Sequence, residues 1–191
     1  MRRCDSYYHR RLLSEDSADR GCNDGTLAMG WGSGSVEFPY LVAPLDAIKT
    51  QAQKDGTTVT TSSNDNTQQG ASAAQNAEVA IVCINADAGE GYITVEGNAG
   101  DRKNLDPWHS GNDLVKAVAA VNKKTIVVIH SVGPLILEPF IDNPNVVAVV
   151  WAGLPGEFEN DMDLKGQLVL MHLRSGVRQR SRRHSLWGSL A

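Results

Sequence analysis

The sequence predicts an α/β fold built on a mostly parallel sheet with helices on both faces. Three apolar runs carry that prediction. V-A-I-V-C-I at 79–84, T-I-V-V-I-H at 125–130 and V-V-A-V-V-W at 146–151 are continuous rather than alternating. Strands read that way when both of their faces are covered, as in a parallel sheet. Helical patterns separate them. Leu114, Val115, Val118 and Val121 share one face of a helix over 112–121, and P-L-I-L-E-P-F-I-D at 134–142 reads as a second.

The elements ahead of these runs are weaker. Residues 1–20 are charged and aperiodic and read as irregular. Residues 25–42 form a glycine-punctuated loop whose G-W-G-S-G has the spacing of a phosphate loop. No strand precedes it and no G-K-[ST] follows, so it reads as a close-packed structural loop. After Pro44, Leu45, Ile48 and Ala52 fall at helical spacing, and Asp55-Gly56 ends that helix. T-T-V-T-T-S at 57–62 is rich in β-branched residues and reads as a short strand near a sheet edge. Small residues at 70–78 suggest a short helix.

At 191 residues, 41% hydrophobic and 21% charged, the chain suits one ordinary globular domain. No apolar run approaches the roughly 20 residues of a membrane helix. The N-terminus lacks an apolar segment, so no secretory signal is visible. Charge is unevenly spread. Residues 21–156 hold 14 acids and 7 bases, a net of −7, while residues 174–191 hold five arginines and no acid, a net of +5. Such a tail invites a nucleic-acid or membrane reading. Nothing aromatic is interleaved with its arginines, and it reads as a tail rather than a site. No nucleic-acid or membrane partner is expected. Cys4, Cys22 and Cys83 lack zinc spacing. Cys83 reads as a small buried hydrophobe, and Cys4 and Cys22 are free to pair or not.

In such sheets, ligands meet the loops at the carboxyl ends of the strands. The longest of these, N-A-D-A-G-E-G-Y-I-T-V-E-G-N-A-G-D-R at 85–102, holds Asp87, Glu90, Glu96 and Asp101 between glycines. H-S-V-G-P follows Ile129 and A-G-L-P-G follows Trp151 at the same edge. Carboxylates between glycines suit three uses: general acid/base work on a polar ligand, a divalent metal, or plain solvated charge. The spacing lacks the D-x-[DN]-x-[DN]-G of a calcium loop. The residues alone leave the three open.

The long motifs G-T-L-A-M-G-W-G-S-G, F-P-Y-L-V-A-P, V-A-I-V-C-I-N-A-D-A-G-E-G-Y-I-T-V-E-G-N-A-G-D-R-K-N-L-D-P-W-H-S-G-N, T-I-V-V-I-H-S-V-G-P and V-V-W-A-G-L-P-G come in that order. Together they resemble the second domain of fungal glycoside hydrolase family 3 β-glucosidases over roughly residues 21–157. The resemblance implies a three-layer α/β sandwich around a mostly parallel sheet. It implies an enzyme without a cofactor that removes terminal β-linked glucose from small β-glucosides such as cellobiose, with retention. There a (β/α)8 barrel brings an aspartate nucleophile and this domain lends the acid/base glutamate. Carried over, Glu90 in G-E-G-Y is the acid/base, with Glu96 in V-E-G-N the runner-up. Tyr92 and His130 become candidate substrate-side residues, Tyr92 also placed to shield Glu90 and His130 also readable as a structural residue bonded to a loop. Asp101 and Arg102 are expected to form an ion pair that structures the loop. Trp108 and Trp151 read as packing residues or a sugar platform. An extracellular setting is implied as well.

The chain departs from the family pattern in several places. No S-D-W or T-D-W, the context of the nucleophile, occurs in its 191 residues. Of the family's cysteine pair before the G-x-G-x-G loop only Cys22 is present, and residues 158–191 diverge after A-G-L-P-G. The expectation is a fragment lacking its barrel, inactive alone. The alternative is a non-catalytic carbohydrate-binding or protein-interaction module.

Overall fold

The computed structural model describes residues 44–92, 94, 95, 98–154 and 169–173. Helix α1, Pro44–Asp55, comes first and ends at Gly56. The amides of Gly56 and Thr57 return to the carbonyls of Gln53 and Ala52, which closes the helix end. Helix α2 covers Thr67–Ala74, starting three residues before the small-residue run because the Asn66 side chain accepts from the amides of Gln68 and Gln69, both at 3.0 Å. Strand β1, Ala80–Ala86, follows, then the short β2, Thr94–Val95, and β3, Asn98–Ala99. Helix α3, Gly111–Val121, leads to β4, Thr125–Ser131, β5, Val146–Trp151, and β6, Val169–Leu173.

The sheet runs β1-β4-β5-β6, the first three strands parallel and β6 antiparallel at the edge. β1 and β4 pair in step from Ala80 opposite Thr125 to Ala86 opposite Ser131. The three predicted runs are these three strands, and Val169–Leu173 supplies the fourth. Val82, Ile84, Val127, Ile129, Val146, Val149 and Phe140 form one buried cluster with Leu114, Val115, Val118 and Ala119 of α3. Of the predicted helix face, Val121 is 40% exposed in the last turn, and Ala119 takes the inward place. α2 packs closely on α3 through Gly70, where an added Cβ would lie 2.7 Å from Leu114 Cδ1.

Two predicted elements are absent. Residues 57–62 are irregular, with Thr57, Thr58, Thr60 and Thr61 exposed. β-branched composition favours a strand only where a ladder partner and a buried face are supplied, and this segment has neither. Residues 134–142 hold turns instead of a helix. Phe140 and Ile141 both return to the Leu137 carbonyl, giving one turn, and Pro139 prevents propagation. Residues 1–43, with the G-W-G-S-G loop, Cys4 and Cys22, and the arginine tail lie outside the described residues.

The amino edge of the sheet is stitched by amides. Asn122, 4% exposed, donates Nδ2 to the carbonyls of Ala74 at 3.0 Å and Ala77 at 2.8 Å, while its Oδ1 accepts from the Lys124 amide at 2.9 Å. Asn122→Ala leaves these groups buried and unbonded, with an expected cost of about 2–3 kcal/mol. Breaking the exposed Lys124–Glu78 pair, 3.4 Å apart, by Glu78→Ala costs about 0.5 kcal/mol or less. Urea unfolding of the two variants checks the ranking.

Candidate functional site

The chain leaves the sheet at the carboxyl ends of β1, β4 and β5, and the acidic loop rises from the first. Asp87, the residue after β1, is 2% exposed, and its Oδ1 accepts from the Ala88 amide at 2.7 Å. Beyond it the loop folds back on itself. The Gly89 amide donates to the Gly100 carbonyl at 2.9 Å, and Thr94–Val95 pairs antiparallel with Asn98–Ala99. The acidic stretch is therefore a β-hairpin standing on a narrow neck. Two glycines make the neck possible. Gly91 and Gly100 have φ of 56° and 70°, and a Cβ on Gly100 would lie 2.9 Å from the Gly91 carbonyl oxygen.

Glu90 sits at the base of this hairpin, next to the neck, and is exposed at the sheet's carboxyl edge. Glu96 lies outside the described residues. Tyr92 is 94% exposed, so it does not cover Glu90: the turn at Gly91 directs the ring into solvent. Nor do Asp101 and Arg102 form an ion pair. Asp101 is exposed, while Arg102 turns toward the β4–β5 connection and donates Nη2 to the Pro134 carbonyl at 2.6 Å. The Arg102 side chain is committed to that carbonyl, which leaves Asp101 to the solvent. Arg102 thus structures the loop through a carbonyl, a contact type that leaves no mark in the sequence.

His130 is the penultimate residue of β4, opposite Asn85 of β1, and 3% exposed. Neither ring nitrogen has a hydrogen-bond partner. Burial pushes its pKa down to about 4; the Gly153 backbone opposes this in part, without a completed bond of good geometry. The imidazole is therefore neutral over ordinary pH. Ser131 donates to the Gly133 carbonyl and accepts from Trp151 Nε1 at 3.0 Å, which makes half-exposed Trp151 a wall of the edge. Trp108 is held by its backbone, its amide donating to the Asn85 carbonyl at 2.8 Å. Among the described residues no three His, Cys, Asp or Glu side chains converge to hold a metal ion.

A carboxylate on a glycine-necked hairpin over the edge of a parallel sheet suits proton transfer to a ligand held from above. Comparison with known proteins supplies the context. The sequence model of the glycosyl hydrolase family 3 C-terminal domain matches residues 10–162. The chain belongs to that family. A probable β-glucosidase L of Aspergillus terreus is 69% identical over 139 residues, 73% of this chain and 19% of that protein. The crystal structure of a β-D-glucoside glucohydrolase from Trichoderma reesei superposes with a TM-score of 0.73 at 62% identity, covering 78% of this chain and 21% of that one. The β-glucosidase D2-BGL of Chaetomella raphigera gives 0.72 and 56%, covering 77% of this chain and 21% of that one. The chain spans about a fifth of the length of these family 3 relatives.

For a family 3 domain, the buried neutral His130 has a measurable consequence. Between pH 6.5 and about 4 the unfolded chain takes up a proton that the folded chain refuses. Stability contributed at this position is therefore full above pH 6.5 and falls as pH drops to about 4, by about 3 kcal/mol, and levels off below. Urea midpoints of the protein and of His130→Gln, taken from pH 4 to 7, should converge as pH falls, because the variant lacks this one titration.

Proposed function

We propose that this chain is the acid/base-bearing domain of a retaining β-glucosidase that releases terminal β-linked glucose from small glucosides such as cellobiose. Glu90 protonates the departing glycosidic oxygen and later deprotonates the water that frees the sugar. The nucleophile is an aspartate of a (β/α)8 barrel, and the two carboxyl groups work about 5–5.5 Å apart across the bond being cleaved. The observation that carries this reading is the place of Glu90: exposed beside the hairpin neck, at the carboxyl edge, in a chain of this family. The relatives' names agree with it: a probable β-glucosidase L in Aspergillus terreus and a β-D-glucoside glucohydrolase in Trichoderma reesei.

The exposure of Glu90 and Tyr92 suits a half-site. A carboxyl group withdrawn from water by a covering surface keeps its proton to higher pH, which is how glycosidases make a general acid. On this reading the barrel supplies that cover, and Tyr92 becomes a wall of the closed site. The domain alone has the proton donor and lacks the nucleophile, so it turns nothing over.

A chimera tests this. Residues 21–157 replace the aligned segment of the Aspergillus terreus relative, and hydrolysis of p-nitrophenyl β-glucoside is followed. The expected result is an active chimera, an inactive isolated chain, and a loss of at least about 10²-fold in kcat/KM with cellobiose for Glu90→Gln. Full activity in Glu90→Gln refutes the assignment. Turnover by the isolated chain refutes the half-site, and glucoside binding without turnover in the chimera favours a non-catalytic binding module.

A further inference from the structure

The outgoing leg of the hairpin is bonded to the rest of the edge. There the chain at 102–105 lies against the β4–β5 connection at 133–136. Two hydrogen bonds join them: Arg102 Nη2 to the Pro134 carbonyl at 2.6 Å, and the Ile136 amide to the Leu105 carbonyl at 2.9 Å. The guanidinium also lies over Gly133, where an added Cβ would be 3.5 Å from Nη2. Its other terminal nitrogen, Nη1, is buried and has no hydrogen-bond partner. Leaving a donor dry and unbonded is unfavourable. The side chain therefore keeps this pose because the Pro134 bond and the packing over Gly133 outweigh that cost.

We propose that Arg102 is the positioning residue for the hairpin that carries Glu90, clamping its outgoing leg to the β4–β5 connection and so fixing the Gly89–Gly100 neck. The inference rests on the reading of Glu90 for its purpose, though not for its test. Arg102 stands two residues beyond Gly100, and Glu90 one residue beyond Gly89. Any shift of the outgoing leg is passed through the neck bond to the backbone of Glu90. A charged donor held to a main-chain carbonyl resists such a shift more than a neutral contact does. Gly133 lies beneath the same side chain: an added Cβ would be in ordinary contact with Nη2 at 3.5 Å, and a branched side chain there would crowd the guanidinium.

Amide hydrogen exchange on the full chain tests the clamp, with the Gly89 amide as reporter and the amides of Val127 and Ile129 in β4 as internal reference. Arg102→Leu should speed exchange at Gly89 by about tenfold or more while β4 is unchanged. Arg102→Lys, which still offers a charged donor to Pro134, should restore most of the protection. Gly133→Val, which crowds the guanidinium without touching the hairpin, should reproduce the loss and decides the matter if Arg102→Leu does not fold. Unchanged exchange at Gly89 in both Arg102→Leu and Gly133→Val overturns the proposal, as does equal acceleration in β4, which marks a general loss of stability. Failure of Arg102→Lys to restore protection overturns it too. None of these outcomes depends on whether Glu90 transfers the proton, so a failure of that assignment leaves the clamp to be judged separately.

Discussion

The in-step pairing of β1 with β4 is the constraint on which the rest of this structure depends. Ala80 meets Thr125 and Ala86 meets Ser131, so both strands end at the same height. A slip of β1 by one residue against β4 would turn Val82 and Ile84 out of the cluster they form with α3. The register is therefore set by burial, and the edge inherits it. Asp87 starts the acidic loop at the level where His130 and Ser131 finish β4, and the Val132 amide continues the pairing to the Ala86 carbonyl at 3.3 Å.

From that edge the loop is built to stand. A segment of this length between strand and helix would lose much conformational freedom if it were ordered only on binding. The short β2–β3 ladder, the Gly89–Gly100 bond, the Arg102–Pro134 bond and the Trp108–Asn85 bond order much of it in advance. What stays exposed is what a partner surface would use: the Glu90 carboxylate and the Tyr92 ring. The buried counterpart is His130, neutral and closed off, which keeps charge out of the sheet beneath the loop. On the proposed reading, a rigid base with an exposed carboxylate suits acid/base catalysis across a domain boundary.

Legibility in the sequence followed the burial. V-A-I-V-C-I, T-I-V-V-I-H and V-V-A-V-V-W could be read as parallel strands because two-faced burial writes a continuous apolar run. The α3 face was readable for the same reason, up to Val121, which lies past the sheet. Residues 57–62 and 134–142 misled because composition promised a strand and a helix that no ladder partner and Pro139, respectively, allowed. The start of α2 was hidden in one asparagine side chain. At the site, the motif resemblance marked Glu90, but adjacency in sequence made Asp101 look like the partner of Arg102. The actual acceptor is a main-chain carbonyl 32 residues away. Contacts to backbone carry no residue-type signature, so only the three-dimensional fold reveals them.

The assignment of the proton donor is tested most directly by chemical rescue. In the chimera bearing residues 21–157, Glu90→Ala is assayed on an aryl β-glucoside with a good leaving group, with and without azide. An acid/base residue is dispensable for departure of such a group, and azide then intercepts the glycosyl-enzyme in place of activated water. Rate recovery with azide and β-glucosyl azide as product are expected for Glu90→Ala, and neither for Glu96→Ala. Rescue of Glu96→Ala with none for Glu90→Ala would contradict the assignment and make Glu96 the donor.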